Sequence, residues 1–288
     1  MSTGGVFKIV QQEMNNLPDN TWLTNRYCNR FCGILIIDGK YVKVKGYKKK
    51  IPFLYGIDYL THDIVIGILV PSESYEAFRK FFRLLKTVGY PLQAVVCDDV
   101  ISALEPALLY HYPKARIQLC QNHYIEGIRQ KLKVRTVKNH VRFFNFIRTH
   151  VFKENHHSQK QFNNVLHHLI KSQAKSDLQR QYIVMDIHNK QEYLFNYKNI
   201  SHCPQTTNLI ELYNSHMQAR LKSIKGFKSF KNAERWLNAW MIRRRTKSFT
   251  DCKGKLKDLN GKCSLEMSIK KQAEWPEICG IKAPENER

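Results

Sequence analysis

The chain has 288 residues, 43% of them hydrophobic, and a formal net charge of +23 from 47 Lys and Arg against 24 Asp and Glu. That is enough apolar material for one large domain or two smaller ones, and the absence of any run of about 18 apolar residues excludes a helical membrane span. The charge argues against an enzyme of small neutral metabolites and for a polyanionic partner, nucleic acid first, because neutralising phosphates releases counterions.

Residues 1–30 read as a terminal arm or remnant, with a short helical pattern at Val6–Val10 and a loop at Asn16-Leu-Pro-Asp-Asn20. No leader pattern opens the chain, so the eight scattered cysteines are expected to be reduced in a cytosolic setting. Cys28 and Cys32 lack a second pair and do not make a zinc site.

From 31 to 128 the chain alternates strands and helices. Ile34-Leu-Ile-Ile37 runs into Asp38, and Tyr41-Val-Lys-Val44 continues the strand. A carboxylate inside such a strand costs several kcal/mol unless paired, protonated or metal-bound. Asp38-Gly39 is also a common turn pair, the plainer reading of the same residues. After the basic turn Lys45–Lys50, strands are expected at Pro52–Tyr59 and Ile64–Val70. A helix follows at Tyr75–Val88, with apolar positions 78, 81, 82 and 85 at helical spacing. Next come a strand ending in Asp98, a helix at Ile101–Tyr110, a strand at Ala115–Cys120 and a basic helix from about Ile125. Asp58 and Asp63 read as turn residues.

The order β-β-β-α-β-α-β-α implies an α/β fold. It matches the ribonuclease-H-like architecture: a mixed five-stranded sheet, helices on both faces, first and fourth strands adjacent. Residues 129–200 contain no strand-like alternation and read as an all-helical insertion, with Phe143, Phe144, Phe146 and Phe152 as its small core. Residues 201–250 complete the core, and 251–288 form a tail without a readable pattern.

The helix starting near Asn208 and ending at Gly226 buries Ile210, Tyr213, Met217, Leu221 and Ile224. Another face carries Glu211, Asn214, Ser215, Gln218, Lys222 and Lys225. Such a gradient suits metal ligation at the helix start and phosphate contact further on. Asn208-x-x-Glu211 also has capping-box spacing, which requires no catalysis. A further helix at Asn232–Arg245 uses Trp236 and Trp240 as core anchors. Residues 220–262 hold 14 Lys and Arg against 3 Asp and Glu, read as a DNA track.

Four motifs in this order resemble transposases of the Mutator type, a family that includes bacterial and archaeal insertion-sequence enzymes. They are Ile36-Ile-Asp-Gly-Lys-Tyr-Val-Lys-Val44, Val95-Val-Cys-Asp98, Tyr112-Pro-Lys-Ala-Arg-Ile-Gln-Leu-Cys-Gln-Asn-His123, and Thr206-Thr-Asn-Leu-Ile-Glu-Leu-Tyr-Asn214 with Arg220-Leu-Lys-Ser-Ile-Lys-Gly-Phe227. The resemblance implies a DDE triad of Asp38, Asp98 and Glu211 holding two Mg²⁺ ions, with Mn²⁺ as a substitute. It implies a Cys-x-x-His element at Cys120 and His123, whose role is structural or DNA-positioning, and it includes Asn208 in the last motif. The activity implied is cleavage at transposon ends and strand transfer into target DNA. The alternatives are a non-catalytic DNA-binding remnant and a ribonuclease-H-like nuclease. Phosphate contacts are expected from Lys45, Lys48, Lys49, Lys50, Lys222, Lys225, Lys228, Arg243, Arg244 and Arg245. The protein would act on DNA as a homodimer or higher oligomer, away from membranes, in the cytoplasm or on the nucleoid. Family members usually carry an N-terminal DNA-binding region, whereas 37 residues precede Asp38 here.

Overall fold

The computed structural model describes residues 2–99, 101–153, 159–172, 174–175, 177–276 and 278. Its elements fall into two compact units: Met1–Val95, Val100–Ala115 and Thr207–Arg288 form one, and Val96–Asp99 with Arg116–Thr206 the other. One five-stranded sheet of order β3-β2-β1-β4-β5 contains β1 (Ile34–Val42), β2 (Ile51–Asp58), β3 (Ile64–Leu69), β4 (Ala94–Cys97) and β5 (Arg116–Leu119). This is the mixed ribonuclease-H-like arrangement, with the first and fourth strands adjacent.

In the first unit β1, β2 and β3 form an antiparallel meander. The aliphatic start of β1 is buried, as its continuous apolar run requires, and exposure begins at Asp38. The pairing sets Asp38 opposite Tyr55. β4 starts beside β1, where the Gln93 and Ala94 amides both donate to the Gly33 carbonyl. Helix α3 (Tyr75–Thr87) is capped by Ser74, whose hydroxyl accepts from the Ala77 amide, and buries Phe78, Phe81, Phe82 and Leu85 at the expected spacing. It packs on β3 and on α4 (Ile101–His111).

The N-terminal segment is more than an arm. Helices α1 (Thr3–Asn16) and α2 (Asn20–Tyr27) flank the expected loop, and α2 packs on β3. The tail also has structure. Helix α12 (Ser264–Ser268) joins Cys263, Leu265 and Ile269 to Leu23 and Cys28 in one apolar cluster. Only the fold reveals this pairing, because neither end has a stripe long enough to read alone. Part of the tail, including Cys279, lies outside the described residues.

Within the second unit the Cys120 amide donates to the Cys97 carbonyl. Helix α5 (Gln121–Lys131) starts four residues before the position expected from the sequence. Helix α6 (Asn139–Phe146) continues as a π-helix to Lys153, and α7 (Gln159–Ser172), α8 (Leu178–Asn189) and α9 (Gln191–Phe195) follow. The expected helix starts at His156 and Ser176 lie outside the described residues. Phe143, Phe144 and Phe152 are buried, with Phe152 stacked near Phe195. The buried Gln118 and Gln121 amides both donate to the Leu194 carbonyl, tying α9 to the strand end.

Candidate active site

Asp38 is half-buried on β1, and both its oxygens accept from neutral donors. Its own neighbour, the Gly39 amide, donates to Oδ1 at 2.7 Å. The Asn214 amide donates to Oδ2 at 2.5 Å. Asn214 stands on α10 (Asn208–Leu221), which packs on β1 and buries Ile210, Tyr213 and Met217 as its spacing predicts. The Tyr55 hydroxyl donates in turn to Asn214 Oδ1 at 2.9 Å. Burial first, then the nearby Asp38 and Tyr213, holds the Tyr55 phenol well above the usual tyrosine range, so it stays a donor. Among the described residues no lysine or arginine forms an ion pair with Asp38.

Glu211 lies one turn before Asn214 on the exposed side of α10. The N-cap position falls one residue before the Asn208 expected from the Asn208-x-x-Glu211 spacing. Thr207 is the N-cap residue and makes no side-chain cap bond. Its hydroxyl instead donates to Glu211 Oε1 at 3.0 Å, so the carboxylate bends back by one turn. Glu73 is a further carboxylate, not singled out by any sequence pattern. Its Oε1 lies where a side chain on Gly39 would stand.

Asp98 belongs to the second unit and follows β4 directly. His123 Nδ1 lies 2.8 Å from its Oδ1. Cys120, fully buried, precedes α5, and His123 follows three residues later in the first turn. Ligand atoms of Asp98, Cys120 and His123 all lie within 4.8 Å of one another. The sequence supplied only two of these donors as neighbours; the strand end adds the carboxylate. A thiol, an imidazole and one carboxylate make a mixed donor set suited to zinc, whereas strand and helix carboxylates offer the hard oxygens that Mg²⁺ takes.

Residues 7–248 match the family described as transposase, Mutator family. The chain belongs to the Mutator family of transposases. A search of curated proteins returns no match. Among solved structures the chain is similar to the Drosophila P element transposase strand transfer complex. Identity is 10%, 86% of each chain is covered, and the TM-score is 0.49.

In this Mutator-family chain the basic residues do not share one role. After α10, the Phe227 amide donates to the Lys43 carbonyl and the Lys45 amide to the Phe227 carbonyl, a parallel bridge between Val44 and Phe227. Gly226 makes the approach with φ of +147°, a conformation that disfavours any side chain. The bridge sets the exposed Lys45–Lys50 turn beside the stretch carrying exposed Lys222, Lys225 and Lys228. Tyr47 and Phe230 rings meet across it.

Helix α11 (Phe230–Thr246) requires a correction. Arg243 is exposed, but Arg245 is fully buried and donates to both oxygens of Asp63. It cannot reach a phosphate. Arg244 lies over the Tyr213 ring at 4.5 Å and near Phe249, committed to the protein's own aromatics. Asp63, expected as a turn residue, is the partner of a buried ion pair that also accepts from Ser264 and Ser268. Asp58 does organise its turn, accepting from Thr61, but it also takes the Tyr90 hydroxyl. Trp240 is buried with its ring edge on Tyr55, and Trp236 rests on Phe227. Among the described residues no helix is long and apolar enough to cross a membrane.

Proposed function

We propose that this transposase cleaves DNA at the ends of its element and joins the freed ends to target DNA, using Asp38, Asp98 and Glu211 as a DDE triad. The observation that carries the reading is Asp38. It is the carboxylate at the end of a buried apolar run, held by neutral amides and left without a described cationic partner. A half-buried negative charge so placed on a chain of net charge +23 is a fit for a divalent cation rather than for an ion pair. β1 carries Asp38, and the helix packed on β1 carries Glu211.

Asp38, Asp98 and Glu211 would hold two Mg²⁺ or Mn²⁺ ions. When bound, these ions supply charge stabilisation at the attacking and leaving oxygens. The remaining chemistry is positional. Water attacks phosphorus at the element end and the 3′ oxygen departs with a proton. That 3′-hydroxyl then attacks a target phosphodiester, and one P–O bond forms as another breaks. No covalent intermediate on the protein is required. The basic surface formed by Lys45–Lys50 and Lys222–Lys228 supports DNA holding, since cations neutralise phosphates without reading sequence. Two ends must be joined together, so the working form is a dimer or larger assembly on DNA.

The test is a strand-transfer assay with pre-cut element ends, a supercoiled target and Mg²⁺. Joining by wild type that disappears in Asp38→Ala, Asp98→Ala and Glu211→Ala supports the reading. Joining that survives Asp38→Ala overturns the site. Cleavage without joining makes the protein a nuclease, and DNA binding without either makes it a non-catalytic binder.

A further inference from the structure

We propose that Asn214 is a positioning residue for Asp38, and that Tyr55 fixes the orientation of the Asn214 amide. The inference rests on the reading of Asp38 as a metal-holding carboxylate. Asn214 lies three residues after Glu211 on α10, so one helix face carries both a triad carboxylate and the clamp on another.

The geometry leaves one orientation for the amide. With Nδ2 toward Asp38, a donor meets a carboxylate oxygen at 2.5 Å, and the Tyr55 hydroxyl donates to Oδ1 at 2.9 Å. Turned over, the amide would set its oxygen against the carboxylate oxygen at that same separation, a repulsion with no compensating proton. The Tyr55 hydroxyl has a second acceptor within reach, the Ile210 carbonyl at 3.4 Å, but the Asn214 contact is the shorter. Tyr55 is itself pinned. It is fully buried, stacked on Phe53 and edge-on to Trp240. It is also the residue directly opposite Asp38 in the β1–β2 ladder. The clamp is thus a closed triangle on two adjacent strands and one helix, and Asp38 swings away only by giving up the Asn214 hydrogen bond.

A carboxylate with both oxygens engaged is restrained in the direction its remaining lone pairs point. That is the usual contribution of partners behind a metal ligand, and losing one typically costs about 10- to 100-fold in metal affinity or activity. Glu211 Oε1 accepts from the Thr207 hydroxyl, one turn back on its own chain.

The experiment is Mn²⁺ binding to the full chain, followed by the electron paramagnetic resonance signal of free Mn²⁺. The variants are Asn214→Ala, Asn214→Leu, Tyr55→Phe and Asp38→Ala. Thermal unfolding and binding to a plasmid are measured alongside. Asn214→Leu keeps the branched shape and removes the donor without adding a charge or a metal ligand, so it separates the clamp from simple packing. The expected result is about a tenfold or greater weakening of Mn²⁺ binding in both Asn214 variants and a smaller loss in Tyr55→Phe, with unfolding and plasmid binding unchanged. Wild-type Mn²⁺ affinity in Asn214→Leu, with Asp38→Ala weakened, overturns the inference and leaves the triad standing. Wild-type affinity in Asp38→Ala means that Asp38 holds no ion, and the inference falls with that reading.

Discussion

His123 faces Asp98 with Nδ1 2.8 Å from Oδ1, joining the first residue after β4 to the first turn of α5. The contact sets the imidazole of the Cys-x-x-His element against a strand-end carboxylate. Only Cys120 separates β5 from α5, so the imidazole is delivered by a rigid strand-to-helix junction rather than by a long loop.

His123→Ala is expected to lower the rate of strand transfer about 10- to 100-fold, the usual range for a partner behind a metal ligand. Plasmid affinity should be unchanged. His123→Gln, which can still donate, should recover part of the rate. Single-turnover kinetics with saturating DNA separates rate from binding, and an equal loss in both variants with weaker DNA binding would count against orientation as the cause.

Arg245 and Asp63 carry the largest stability prediction. Both side chains are fully buried, and Arg245 also donates to Asn20 and Thr24. Removing one partner strands the other charge in the interior, which costs about 3–5 kcal/mol. Asp63→Ala and Arg245→Met should each lower the urea midpoint strongly. The double variant should lose less than the sum, which a double-mutant cycle detects.

The lysine turn is testable through salt. Lys48→Glu with Lys49→Glu and Lys50→Glu should weaken binding to unrelated duplexes uniformly. The slope of log affinity against log salt should shrink by about 0.9 for each phosphate that is no longer neutralised. Arg245→Met is the contrasting case, because a buried arginine makes no phosphate contact and the slope should stay as in wild type.

Stability should fall in mild acid. Burial, then the nearby Arg244 guanidinium, holds the His62 imidazole below its usual 6.5, against a weaker opposing pull from Asp58. The unfolded chain then takes up the proton first, so this stability is present above about pH 6.5 and is lost as pH falls through the lower folded value. His111 and His216 are also lowered, again chiefly by burial, and add to the slope. His62 has φ of 57°, a backbone that asparagine tolerates. His62→Asn should flatten the decline in urea midpoint between pH 7.5 and 5.

The strand order was legible because its signals are local. Ile34–Ile37, Ile64–Leu69 and Ala94–Cys97 are apolar runs bounded by turn residues, and Phe78, Phe81, Phe82 and Leu85 repeat at helical spacing. Asp38 stood out for the same reason, as a charge where local pattern demands an aliphatic residue. Helix α2 and α12 were not legible, since their burial depends on each other's side chains across most of the chain.

The sequence by itself determined the family, the alternation of strands and helices, the excess of positive charge and three candidate carboxylates. Tertiary structure alone decided which polar residues pair with which. Asn214 reaches Asp38 across 176 positions, and Arg245 reaches Asp63 across 182. From sequence Asn214 was one polar residue on an exposed face and Arg245 one of three equivalent arginines. Hydrogen-bond partnership and burial depend on which segments pack together, and no local spacing records that.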